Sequence, residues 1–232
     1  AFVGSVRCVQ ETVVRHRYIM KTQIEEINDF WVPSKDKHIE QWKAGLPFTQ
    51  NKCLNNFINY CDSQKKLFKR VLDIGAWCGT WSVAMEKYIT NIDAFEPNKI
   101  HFACLEKNVA RFSDRIKSHR FAIGGKEGSI SLTTEEATQK TRVKGSGEIP
   151  MHTIDYFNYK DVDMIKIDVE GYEMEVLKGA HKTLTHNDEN QSNVKFLMVE
   201  LNHNTEKYNS SNQQVKDHIT VSYTHLTLPT KA

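Results

Sequence analysis

One stretch limits what this chain can fold into: Val71-Leu72-Asp73-Ile74-Gly75-Ala76-Trp77-Cys78-Gly79-Thr80-Trp81-Ser82. The apolar run 71–74 is too short for a helix and reads as a buried strand, while Thr80 opens a helical pattern. Between them Gly75 and Gly79 let the backbone turn sharply and approach a neighbour closely. A strand, a glycine turn and the free N–H groups of a helix start make a ligand cradle at the end of a parallel sheet.

Spacing narrows the ligand. The dinucleotide pattern GxGxxG needs glycine where Trp77 stands, and the phosphate loop GxxxxGK[ST] is absent. The pattern is Asp-x-Gly-x-x-x-Gly, with an acid at the strand end that suits a cationic or hydroxyl-bearing ligand. A second strand, Asn91-Ile92-Asp93-Ala94-Phe95, ends in Glu96-Pro97-Asn98. An acid about 20 residues beyond the glycine turn sits where a carboxylate grips a ribose diol, and Asn98 can cap the next helix.

The remaining chain continues the alternation. Residues 21–50 are mixed and polar, with Phe30, Trp31, Val32 and Trp42 as anchors, and a helix over 51–61 completes a cap before the first strand. Crossover helices are expected over 81–88 and 99–112. Trp77 and Trp81 either stack on an adenine or belong to the core. A third strand spans 116–123. Then 129–133 and 149–154 read as strands flanking a polar loop at 135–147, a small antiparallel hairpin set into the βα rhythm. Asp155 caps the turn at 156–157 or faces the site. A fourth strand and its exit follow in Met164-Ile165-Lys166-Ile167-Asp168-Val169-Glu170-Gly171. A helix over 173–178 is capped by Gly179. A fifth strand over 196–201 leads to Glu200 and His203, and a last helix covers 212–219. Asp168, Glu170, Glu200 and His203 converge only if the fourth and fifth strands are neighbours.

Composition is that of one ordinary α/β domain, 39% hydrophobic and 26% charged, with a formal net charge of +2. A nearly neutral chain is not expected to bind nucleic acid, and no apolar run reaches a membrane span or a secretory signal. Apart from Cys8, the cysteines Cys53, Cys61, Cys78 and Cys104 lack CxxC spacing, so they read as reduced thiols of a cytoplasmic protein and no metal is assigned. The two ends stand apart. Back-translating residues 1–12, with Gln10 as TAA or CAA, gives a string whose frame-shifted reverse complement encodes 221–232. Both are expected to be adapter-derived. The division is then 1–12 artefact, 13–70 N-terminal cap, 71–220 a ligand-binding α/β domain incomplete at its C-terminus, and 221–232 artefact.

Three motifs in this order resemble the FkbM-type methyltransferases, a branch of the class I S-adenosylmethionine-dependent enzymes. They are Asp73 to Gly79, then Ala94-Phe95-Glu96-Pro97-Asn98, then Ile165-Lys166-Ile167-Asp168-Val169-Glu170-Gly171-Tyr172-Glu173, with Val176-Leu177-Lys178-Gly179-Ala180 behind them. The resemblance implies a doubly wound, Rossmann-like methyltransferase sheet without its terminal β-hairpin. It implies S-adenosyl-L-methionine as cofactor, held by Asp73, Gly75, Ala76, Gly79, Glu96, Pro97 and Asn98. It also implies methylation of a hydroxyl on a glycan or small metabolite. The reaction needs alignment and removal of a proton, for which Asp168, Glu170 and His203 are the candidate catalytic groups, Asp168 foremost. Two rival readings are a donor-binding scaffold without turnover and a nicotinamide oxidoreductase, which the glycine spacing disfavours. A DNA methyltransferase would need a Pro-Pro-aromatic element that Asp-Val-Glu-Gly replaces.

Overall fold

The computed structural model describes residues 23–45, 52–133, 143–185 and 194–223. Its centre is a five-stranded, all-parallel sheet. The strands are β3 (Phe68–Ile74), β4 (Ile89–Phe95), β5 (Ile116–His119), β9 (Val162–Ile167) and β10 (Phe196–Val199), in the order β10-β9-β3-β4-β5. The chain winds outward from β3 through β4 and β5, then returns to lay β9 and β10 on the other side. This reversal at β3 is the switch point where open α/β sheets bind ligands, and the doubly wound expectation is met. β10 adjoins β9 in parallel, as convergence of the strand-end acids required.

Helices cover both faces, so the strands read as unbroken apolar runs. Val71, Ile92, Ala94 and Met164 pack on one side with Trp81, Met85, Leu105 and Val109 of α3 (Thr80–Met85) and α4 (Lys99–Val109). Leu72, Ile74, Ile165 and Ile167 face the other side. There they meet Val176 and Leu177 of α5 (Glu173–Lys178), Leu184 of α6 (His181–Leu184), and Val215 and Ile219 of α7 (Asn212–Ser222). Ser211 and Gln214 close a reciprocal capping box at the start of α7, and Tyr223 beyond its end is buried.

The cap region holds more structure than its polarity suggested. β1 (Ile24–Ile27) and β2 (Phe30–Pro33) pair antiparallel around Asn28 and Asp29, both at positive φ as a two-residue hairpin turn requires. α1 (Ile39–Lys43) and α2 (Lys52–Gln64) follow, and Phe30, Val32 and Trp42 are buried anchors as expected.

Several boundaries differ from the sequence reading. The expected third strand divides: β5 stays in the main sheet, while β6 (Ala122–Ile123) leaves it for a small sheet of order β6-β8-β7. There β7 (Gly128–Leu132) and β8 (Val143–His152) form the expected antiparallel pair. β8 takes up part of the presumed polar loop, whose residues 135–142 lie outside the described ones. Gly179 ends α5 with an ordinary right-handed φ of −77°. Its glycine is set by packing, since a β-carbon there would lie 2.0 Å from the Gly124 carbonyl oxygen.

Candidate active site

The strand ends assemble a cavity of about 510 Å³. Gly75, at φ +80°, is the pivot. Its N–H and that of Ala76 both donate to the Phe95 carbonyl at 3.0 Å, drawing the glycine loop against the end of β4. A β-carbon on Gly75 would lie 1.8 Å from the Asp168 carbonyl oxygen. The glycine is required by close approach of the β9 exit, a neighbour within the protein. At Gly79, φ is +84° and a β-carbon would meet Leu105 of α4 at 2.7 Å.

Glu96 ties the two loops together. The Trp77 N–H donates to its Oε2 at 3.0 Å, and the Asn98 N–H donates to its Oε1 at 2.8 Å. His101 Nδ1 lies 3.6 Å from the same Oε1. Each carboxylate oxygen keeps acceptor capacity for a further partner. Asn98 caps α4 as expected, its Oδ1 accepting from Ile100 and His101.

A buried charge network lies beneath the loop. Lys166 Nζ donates to the Gly75 carbonyl at 2.9 Å, and stands 2.9 Å from Asp73 Oδ1 and 3.6 Å from Asp168 Oδ2. The Ser82 hydroxyl donates to Asp73 Oδ2 at 2.6 Å. Burial alone would lower the Lys166 pKa, but Asp73 and Asp168 outweigh it and hold the ammonium above the usual lysine value.

At the far end the Asp168 N–H donates to Ile74 O and the Glu200 N–H to Ile167 O, both at 2.9 Å, so the strands continue one residue past their ends. Asp168, Glu170 and Glu200 all line the cavity. Glu170 sits at φ +55°, and its Oε2 accepts from the side-chain amides of Asn202 at 3.1 Å and Asn204 at 2.9 Å. Glu173 is fully buried and accepts from the Gly171 N–H at 2.9 Å, which fixes the turn between them. The Glu200 carboxyl is raised to about 7, by the neighbouring Asp168 charge first and by partial desolvation second. The His203 backbone begins a short 3-10 helix, and its side chain lies outside the described residues.

Of the residues expected to hold the donor, Gly75, Ala76, Glu96 and Pro97 line the cavity, while Asp73, Gly79 and Asn98 shape it from behind. Trp77 and Trp81 line it too, while also packing in the core clusters around it. The indole N–H groups of both are buried without a hydrogen-bond partner among the described residues. Cys53 and Leu54 of α2 bring the cap to the same cavity. Asp155 points elsewhere: its carboxylate accepts from the Lys182 and Thr183 N–H groups, so it caps α6 and neither its own turn nor the site.

Lys166 was given no role in the sequence reading, and Glu200 was placed among the converging strand-end groups without being made a catalytic candidate. A lysine between Ile165 and Ile167 in a strand buried on both faces must find a carboxylate, and that signal was present in the motif. Among the described residues no three His, Cys, Asp or Glu side chains group to hold a metal ion, and no helix is long and apolar enough to cross a membrane. Cys53, Cys61, Cys78 and Cys104 form no disulfide among the described residues, and burial pushes the Cys78 thiol well up.

A parallel sheet with a glycine loop after its first strand, an acid after its second and polar groups after its fourth and fifth defines a Rossmann-like protein with a ligand site at the switch point. The chain belongs to the FkbM methyltransferase family, whose domain matches residues 73–224. It is similar to the hexuronic acid methyltransferase AglP of Haloferax volcanii, with 28% identity over 137 residues, 56% of this chain and 54% of that protein. The chain thus spans about half the length of this curated relative. Among solved structures it is similar to a precorrin-6y C5,15-methyltransferase from Geobacter metallireducens, with 14% identity, 74% of this chain and 76% of that one covered, and a TM-score of 0.42. A second is an S-adenosylmethionine-dependent methyltransferase from Clostridium acetobutylicum, with 14% identity, coverage of 62% and 48%, and a TM-score of 0.34. Likenesses this loose bear neither on the site nor on the reaction.

Proposed function

We propose that this chain transfers a methyl group from S-adenosylmethionine to a hydroxyl oxygen of a glycan or small metabolite. The observation that carries the reading is Glu96, a buried carboxylate held between the glycine loop and the β4 exit with acceptor capacity left for a ribose diol. Gly75, Ala76 and Pro97 would hold the rest of the donor, and the two indole N–H groups are donors in need of a partner. When bound, the donor supplies a sulfonium methyl that is already activated. The chain then has to align the acceptor oxygen and receive its proton, and Asp168, Glu170 and Glu200 stand at the cavity's other end for that purpose. The relative's name makes uronic-acid sugars the first acceptors to try.

The test is thermal unfolding with and without S-adenosylhomocysteine, beside Glu96→Ala. Ligand at 100 times its dissociation constant adds about 2.7 kcal/mol, a midpoint rise of roughly 5 to 11 °C in a domain of this size. The rise is expected in the native protein and absent in Glu96→Ala. A cooperative transition with no rise overturns the reading. Labelled methyl donor offered to uronic-acid and neutral glycans then asks for transfer, and binding without transfer would leave a donor-binding scaffold.

A further inference from the structure

The ends of three strands form a single row. Val199 pairs with Ile167 and Ile167 with Ile74, both in parallel register, so the next residues, Glu200, Asp168 and Gly75, lie side by side across β10, β9 and β3. Neighbouring strands are about 4.8 Å apart, and residues in register point to the same face. Both side chains line the same cavity, and the Asp168 charge is the one that acts most strongly on Glu200. Two carboxyls set side by side at neighbouring strand ends repel when both are ionised, which favours keeping one proton between them.

The three strand-end acids differ in what already holds them. Glu170 is occupied by Asn202 and Asn204. Asp168 faces the Lys166 ammonium at 3.6 Å. Glu200 is exposed at the cavity mouth, where a proton can pass to water. The charged groups acting on Glu200 are Asp168 and Lys166 of the β9 side and Glu170 of the following turn, with Asp168 the strongest.

Resting on the donor reading above, we infer that Asp168 and Glu200 share one proton in the empty cavity, that a cationic methyl donor expels it, and that the freed Glu200 carboxylate takes the acceptor's proton. The charges close. The acceptor oxygen forms its bond to the methyl carbon as the methyl–sulfur bond breaks and its electron pair stays on sulfur. The hydroxyl proton passes to Glu200. Sulfonium and carboxylate become neutral thioether and neutral acid together, so the transfer leaves no new charge in the cavity. Asp168 acts as a positioning residue, because its charge is what keeps Glu200 protonated until the donor arrives.

The inference is tested by calorimetry of the full chain with S-adenosylmethionine and with S-adenosylhomocysteine at pH 7, each in two buffers of different ionisation enthalpy, to count protons released. A group titrating near 7 is half protonated there, so the charged donor is expected to release about half a proton more than the neutral product. Glu200→Gln should abolish that excess while leaving the product's affinity within about twofold. Asp168→Asn should move the excess to lower pH. An excess that persists in Glu200→Gln, or no excess in the native protein, overturns the inference while the donor reading stands. Failure of both ligands to bind overturns the donor reading and this inference with it. In the labelled-donor assay at saturating donor, Glu200→Gln should lower kcat by at least about 100-fold, the size of a lost general base, and an undiminished kcat counts against it.

Discussion

The Lys166 ammonium stands 2.9 Å from the Asp73 carboxylate, and both residues are buried beneath the glycine loop. Taking away one partner of such a pair leaves the other charged and unpaired in a low-dielectric interior, at a cost of about 3–5 kcal/mol. Lys166→Met is expected to lose that much in urea unfolding, because among the described residues Asp73 then keeps only the Ser82 hydroxyl. Lys166→Met with Asp73→Asn should recover a large part. A loss below about 1 kcal/mol in the single variant would mean that the pair does not hold the loop.

Gly75→Ala tests the strand-end row from its other side. The added carbon would fall 1.8 Å from the Asp168 carbonyl oxygen, at a φ of +80° that side chains rarely adopt. The β3 and β9 exits would have to separate. The strained backbone alone costs about 1–3 kcal/mol, and the midpoint shift given by S-adenosylhomocysteine should vanish with it. A variant that melts normally and still shows that shift would place the ligand elsewhere.

What the sequence displayed divides between local features and pairings across strands. The sheet was legible because β3, β4, β9 and β10 are short apolar runs ending in glycine or acid, and period and punctuation are local properties. Glu96 was legible for the same reason, as an acid at a strand end. Lys166 was not given a role, since its partner Asp73 lies on another strand and only the register of β3 on β9 joins them. Glu200 is similar: its chemistry comes from standing opposite Asp168, which one strand cannot show. The N-terminal hairpin was missed although Asn28-Asp29 between Ile27 and Phe30 carried a turn signal. Asp155 was read as a cap correctly in kind, but its target, α6, is 27 residues away.

Asn108 joins that hairpin to the glycine loop. Its side chain accepts from the Trp31 N–H at 2.7 Å and donates to Trp31 O and Cys78 O, each at 2.8 Å. Asn108→Ala leaves three backbone groups short of a partner, each worth about 1 kcal/mol or more when buried. The expected result is a loss of about 2–4 kcal/mol, with faster proteolysis at residues 28–29 as the hairpin loosens. Unchanged cleavage would show that the Lys107 ammonium, 3.9 Å over the Trp31 ring, and the apolar contacts hold the hairpin unaided.

Asp93 governs the acid side. Burial would raise its pKa, but His119 Nε2 at 2.8 Å and the paired Arg70 guanidinium outweigh this and hold it below the usual carboxylate value. With the folded pKa below the unfolded one, the native state gains stability above about pH 4 and loses it as pH falls through the lower value. Asp93→Asn should flatten the fall in unfolding free energy between about pH 4 and pH 2. A variant with the native acid slope would assign that slope to other carboxylates.

Glu200 acts in the opposite sense on stability. Its carboxyl is raised to about 7, so the folded state holds its proton more tightly than the unfolded chain does. That contribution is complete below the ordinary glutamate pKa near 4.3 and is lost as pH rises through 7, where Glu200 becomes a second negative charge beside Asp168. Glu200→Gln removes the repulsion at alkaline pH and changes little where the native residue is already protonated. The midpoint of Glu200→Gln minus that of the native protein should therefore be more positive at pH 8 than at pH 5.5. Adding S-adenosylmethionine should narrow the gap at pH 8, since the sulfonium then balances the charge that the substitution removes. A difference independent of pH would mean that Glu200 is ionised throughout, and the shared proton at the strand ends would have to be abandoned.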